Sequence, residues 1–222
     1  MVIFKSQKHV FWQALVLALF IFFFGVLFGY YLESYRANVI ENLYFQSEFY
    51  LLDAKIQSEI YSFSDIGCQE ALQANLNFSN RIYEEFKILD KYEEANKLTS
   101  SIILEHKKYD LLRALFWISS MKIKDRCGFA YHDVVYLYDY NEPRLDIKAK
   151  QYVFSNTLHQ LQQEMGDKMV LIPLAGDNDI ASVSYLMSLY NISEEELPVI
   201  LIDENIKITN VESVEELKRY IN

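Results

Sequence analysis

The sequence predicts an α/β domain (β-α-β-α-β-β-α) preceded by a long-helix hairpin or stalk and one N-terminal transmembrane helix. Three observations predict it. Val10 to Leu32 is an unbroken apolar run. Residues 33–124 hold one glycine, Gly67, and no proline, so helices there meet few breakers. From His132 onward, short runs rich in β-branched and aromatic residues alternate with helical patterns. The expected organisation is residues 1–9 as a cytoplasmic N-terminus, 10–32 as the transmembrane helix, 33–127 as the helical stalk or hairpin, and 130–222 as the α/β domain.

The run VFWQALVLALFIFFFGVLFGYYL, residues 10–32, carries no charge. A bilayer core needs about 20 apolar residues in a helix, and this segment meets that length. Gln13 is its one strongly polar side chain, and aromatic residues mark both ends: Phe11 and Trp12, then Tyr30 and Tyr31. The rival is a cleaved signal peptide, whose apolar region is shorter and ends in small residues; this run is longer and ends in tyrosines. Lys5 and Lys8 precede it without an acid nearby, so the positive-inside bias puts the N-terminus in the cytoplasm and the remainder outside. All 31 acidic residues, and all but two of the 21 basic ones, follow Tyr31. The formal charge of −10 argues against nucleic acid, since a phosphate backbone selects a basic face.

Beyond the span, Tyr35, Val39, Leu43, Tyr50 and Ala54 form a helical stripe joined by Leu51 and Leu52. Inside it, Glu41-Asn42-Leu43-Tyr44-Phe45-Gln46-Ser47 matches letter for letter the recognition sequence of a viral cysteine protease used to remove tags. A native helix and an introduced cleavage site both fit, and no biological role is assigned to these residues. Either way, the position makes residues 47–222 releasable as a unit. A break at 62–67, capped by Ser64 or Asp65, starts a second helix from about Cys68 to Asn96, with Ile82, Phe86, Leu89 and Tyr92 on one face. Near 97–100 the chain shifts stripe or turns back. A third helix then carries Ile102, His106, Tyr109, Leu112, Phe116 and Ile123, and Gly128 is placed to end it. These helices read as a stalk that holds the last domain off the membrane, or as a homodimerisation element.

The C-terminal region reads in order. Val134–Tyr140 is a strand, Asp146–Met165 a helix, and Lys168–Ala175 an apolar strand of the kind buried on both faces. Asp179–Ile192 is a helix with Asp179 as its cap. Leu197–Asp203 and Lys207–Thr209 are strands joined by a tight turn at Glu204-Asn205. Ser213–Ile221 closes the chain as a helix, with Ser213 and Glu216 spaced as a capping box.

This order, with Pro198 immediately before the third strand and a hairpin turn at Asp203–Ile206, resembles the thioredoxin fold over residues 130–222. The resemblance implies a cis bond at Pro198 beside a groove lined by Tyr140, Asn141, Pro143, Leu197 and Pro198, whose strand edge would pair with an extended peptide. It withholds the redox chemistry. Where thioredoxins carry C-x-x-C, this chain reads DYNEPRLDIK, residues 139–148, without a cysteine, and thiol–disulfide exchange needs a thiolate. The expected function is therefore protein or peptide binding, or scaffolding, by a membrane-anchored extracytoplasmic protein. The alternative is an accessory subunit of a thiol–disulfide or folding system whose catalytic cysteines lie on a partner.

Cys68 and Cys127 fall at one end of a predicted hairpin and form a candidate disulfide in an oxidising compartment; two separate buried thiols are the other reading. No H-E-x-x-H, P-loop, G-x-G-x-x-G or G-x-S-x-G motif occurs, and neither catalytic residues, metal nor cofactor is expected. His106, on an apolar helix face, reads as a hydrogen-bonded core residue. Gly176–Asp179 lacks the alternating acids of a calcium loop, and Glu194–Glu196 reads as a solvated helix end. Asn77 and Asn191 open N-glycosylation sequons.

Overall fold

Helix α1 spans Gln7–Phe63, α2 Cys68–Ala95 and α3 Ser100–Cys127. They are followed by β1 (His132–Tyr138), α4 (Leu145–Met165), β2 (Met169–Ala175), α5 (Ala181–Leu189), β3 (Val199–Ile202), β4 (Ile206–Ile208) and α6 (Val214–Lys218). These elements come from a computed structural model that describes residues 7–63, 67–95, 100–128, 131–211 and 213–221. The proposed caps Ser64 and Asp65 and the turn at 97–99 lie outside the described residues. The chain divides into two units, 1–45 and 46–222.

The first unit holds the apolar helix. Val10–Tyr35 is long and apolar enough to cross a membrane, and its apolar stretch is entirely unburied. Phe20 (68%) and Leu27 (66%) illustrate the exposure, which water would penalise and lipid would not.

The second unit is built on a four-stranded sheet ordered β2-β1-β3-β4. β1 and β2 run parallel, so α4 must cross between them. β3 is antiparallel to β1, and β4 returns antiparallel to β3. Successive strand residues point to opposite faces, which splits the core in two. Val134, Tyr136, Ile200 and Ile202 pack with Phe154, Leu158 and Leu161 of α4 and with Val214 and Leu217 of α6. Val135, Leu137, Ile172, Leu174, Val199 and Leu201 pack with Leu112, Phe116 and Trp117 of α3 and with Val183, Leu186 and Met187 of α5. Thus α4 and α6 cover one face, and α3 and α5 the other.

Sequence periodicity separates residues 33–127 from 130–222, but the packing joins α3 to the sheet. Tyr109, Leu112 and Trp117 share one core with β1, β2 and β3, so α3 is a layer of the α/β domain and no free stalk. Helix α2 packs on α3, with Phe78 and Phe116 6.3 Å apart. Tyr50 of α1 is half-buried against the same core, under the Arg81 guanidinium at 4.7 Å. Cys68 and Cys127 are bonded, with Cα atoms 5.5 Å apart and 59 residues of separation.

Local chemistry sets the boundaries. Gly128 takes φ +83°, and its N–H donates to Lys124 O at 2.8 Å, closing α3. Ser213 Oγ accepts from Glu216 N at 3.3 Å, capping α6. Asp179 does not cap α5; Ile180 holds that place, and Asp179 turns to φ +50° on the surface. The expected element ends shift by a few residues at most.

Cross-linking a loop of this length restricts the unfolded chain by about 4 kcal/mol in the loop-entropy account. Replacing both cysteines by serine should therefore lower the unfolding free energy by up to about 4 kcal/mol, measured by denaturant titration followed on tryptophan fluorescence.

Candidate functional site

β1 and β2 end on the same side of the sheet, and β3 begins there. The chain leaves β1 for α4 on one face and β2 for α5 on the other. Connections that part to opposite faces leave a crevice beyond the carboxyl ends of the strands, where α/β sheets bind ligands. Residues 139–144 and 176–180 border that crevice.

Asp177 ties the two loops together. It accepts from Tyr140 N at 2.7 Å, Asn141 N at 2.9 Å and Asn141 Nδ2 at 3.2 Å. Gly176 donates to Tyr138 O at 2.8 Å. A Cβ on Gly176 would meet Leu197 Cδ1 at 2.8 Å and Met187 Sδ at 3.0 Å, so a larger residue here would push those two side chains aside. Gln151 of α4 fixes the other limb, accepting from Asp139 N at 2.8 Å and donating to Asp139 O at 3.0 Å. Glu142 accepts from Arg144 Nε and Nη2 at 2.9 and 2.8 Å, and this pairing holds its carboxyl down at about 2.

Helix α3 supplies the floor. The His106 ring lies 4.1 Å from that of Tyr140. His106 Nε2 is 3.3 Å from Tyr138 Oη, and Nδ1 is 3.3 Å from Asp110 Oδ2. Asn178 Nδ2 donates to Asp110 Oδ2 at 2.8 Å, while Ala175 N and Arg113 Nη1 each reach Asp110 Oδ1 at 3.4 Å. His106, Asp110, Arg113 and Asn178 are all buried. His106 is thus the hydrogen-bonded core residue the sequence suggests, and it also backs the crevice. The stripe His106, Asp110, Arg113, at helical spacing i, i+4, i+7, was the sequence sign of this cluster.

Of the expected groove residues, Tyr140 is half-buried on His106 and Asn141 is exposed on Asp177. Pro143 is exposed further along the same loop, and Leu197 and Pro198 are buried. The Leu197–Pro198 bond is cis. The register pairing Leu137 with Val199 puts Pro198 level with Tyr138. Both cysteines of the chain are bonded to each other, and neither borders the crevice. Among the described residues, no group of three or more His, Cys, Asp or Glu is placed to hold a metal ion.

A second cavity, of 570 Å³, lies between α4 and edge strand β2. Arg113, Tyr136, Tyr138, Tyr152, Leu171 and Pro173 are among its lining residues. At the opposite end of the sheet, Lys124 Nζ reaches Asp133 Oδ2 at 3.0 Å and Asp203 Oδ1 at 2.7 Å, and Ser120 Oγ donates to Asp133 at 2.7 Å. Burial pushes the Asp133 carboxyl up; it would pull Lys124 down, but the two aspartates outweigh it and hold the ammonium above its usual value. His132 Nδ1 lies 2.5 Å from Asp203 Oδ2. Glu196, in the acidic run Glu194–Glu196, pairs with Lys207 at 2.7 Å. The sequon residues Asn77 and Asn191 are exposed.

No family model, curated protein or solved structure matches the chain. Its class is defined by its own architecture: an α/β domain with a mixed four-stranded sheet, preceded by an apolar helix long enough to cross a membrane.

Burial, and then the neighbouring Asp177 carboxyl, push Asp139 up to about 6. Asp177 sits low: burial raises it, but the Tyr140 and Asn141 amides prevail. A carboxyl raised in the folded state contributes stability that is present below its unfolded value, about 4, and is lost as pH rises through about 6. Melting temperatures between pH 4 and 6.5 should therefore show a decline in the native chain that Asp139→Asn flattens.

Proposed function

We propose that this chain is a membrane-anchored, extracytoplasmic binding protein whose C-terminal domain is a thioredoxin-like scaffold without redox activity. The observation that carries the reading is the fate of the cysteines. The crevice where a thioredoxin would present its thiols holds Tyr140, Asn141 and Asp177, while both cysteines are consumed in one bridge elsewhere. Sheet order β2-β1-β3-β4, with antiparallel β3 and β4 and Pro198 directly before β3, supports the scaffold. Disulfides persist outside the cytoplasm, which supports the exported side, and the unburied apolar helix supports the anchor.

The ligand class is an extended peptide. The exposed Asn141, whose amide nitrogens donate to Asp177, presents its side-chain carbonyl at the crevice. Edge strand β2 offers a backbone with which a peptide would pair, and the tyrosine-lined cavity beside it accepts an apolar side chain. Screening immobilised peptides against residues 47–222 should yield extended binders. Their affinity should fall about tenfold or more in Tyr140→Ala and Asn141→Ala, and weaken in Pro198→Ala. Peptide binding that all three variants leave unchanged would remove this crevice from the account.

A further inference from the structure

The outer edge of β2 loses its backbone donors toward the crevice. Gly176 N donates to Tyr138 O of β1. The even-numbered residues of β2 therefore turn their amides toward β1, and Met169, Leu171, Pro173 and Ala175 face outward. Pro173 has no N–H to offer. Ala175 N is taken by Asp110 Oδ1 at 3.4 Å. An added strand thus finds outward amides at Met169 and Leu171, and its pairing stops level with Pro173.

Pro173 also lines the 570 Å³ cavity, whose size is that of small-ligand pockets, about 300–1,000 Å³. Tyr136, Tyr138 and Leu171 give it an apolar wall, and Asn156 of α4 stands opposite β2. Among the described residues that line it, Arg113 carries the one formal charge and none is a carboxylate. In a chain of net charge −10, the cavity is a place of positive sign. The Arg113 side chain is 7% exposed, and its Nη1 lies 3.4 Å from Asp110 Oδ1. Asp110 does not line the cavity, and its shorter bond is to Asn178 at 2.8 Å. A guanidinium is a planar fork of donors that matches a carboxylate.

We propose that this cavity takes the free carboxyl end of the extended peptide, with the last side chain against Tyr136, Tyr138 and Leu171 and the terminal carboxylate on Arg113. The inference rests on the peptide-binding reading above and deepens it. The last residue of a peptide carries an apolar side chain and a carboxylate on one Cα, which matches an apolar cavity with one cation. An internal aspartate brings the charge without the apolar body. A chain end also suits an edge whose donors run out at Pro173. Charge sets the direction: an amino terminus would place an ammonium against Arg113, so the peptide runs parallel to β2 and ends toward the crevice.

The test uses the full chain in nanodiscs and fluorescein-labelled hexapeptide pools ending in Phe, Leu or Val. Each pool is made as the free acid and as the C-terminal amide, and binding is read by anisotropy. The free acids should bind about tenfold or more tighter than the amides. Arg113→Gln should bring that ratio close to one, and Arg113→Lys, which keeps the charge and loses the fork, should retain part of it. Asn156→Glu sets a carboxylate in the cavity wall and should also abolish the preference. Asn156 is exposed, so this variant reports on the cavity even where replacing buried Arg113 unfolds the domain. Equal binding of acids and amides would overturn the proposal and leave peptide binding standing. A preference that survives both Arg113→Gln and Asn156→Glu would overturn it too, by placing the chain end elsewhere. N-acetylphenylalanine binding as tightly as the hexapeptide acids would make the occupant a small carboxylic acid and overturn the chain end. Failure of every pool to bind would remove the peptide reading and this inference with it.

Discussion

The structure depends on the buried polar stripe of α3. His106, Asp110, Arg113, Ser120 and Lys124 all point into the protein. Burying such groups is costly unless each is hydrogen-bonded or paired. Their partners lie at the two ends of the sheet: Asn178, Ala175 N and Tyr138 at one, Asp133 and Asp203 at the other. From His106 to Lys124 the helix rises about 27 Å, while a seven-residue strand spans about 20 Å. The helix is therefore long enough to reach polar partners at both ends of β1, and the apolar residues between, Leu112, Phe116 and Trp117, meet the sheet. Only one placement of α3 satisfies both the polar ends and the apolar middle.

That placement builds the candidate site. Asp110 binds the end of β2 and the turn after it, and His106 supports the Tyr140 ring, so the crevice loops rest on a helix that the sheet holds in place. The same helix extends to Cys127, where the disulfide fastens α2. Removing one partner of a buried charged pair typically costs about 3–5 kcal/mol, far more than a surface pair contributes. The crevice should consequently be stiff, which suits a preorganised binding surface.

Much of the domain was legible in the sequence because its elements are locally decided. β-branched runs mark β1, β2 and β3, and Gly128 and Ser213 mark helix ends. The position of Pro198 before β3 was readable by resemblance. The place of α3 was not readable. Apart from His106, its polar residues imitate a solvated face, and what buries them lies 65 residues away for Asp110 with Ala175 and 79 for Lys124 with Asp203. Periodicity cannot report such partners. Asp179 is a smaller instance: a good capping residue by type, it takes a left-handed turn that carries the chain to Ile180 instead.

The most direct measurement is hydrogen exchange on the full chain, comparing amides of α3 between Tyr109 and Ser120 with those of β1 and β3. If α3 is an interior layer pinned at both ends, its amides will exchange as slowly as those of the strands and open with them as one cooperative unit. Exchange in α3 at the faster rate of an exposed helix, while β1 and β3 remain protected, would contradict the account and return α3 to the role of a stalk.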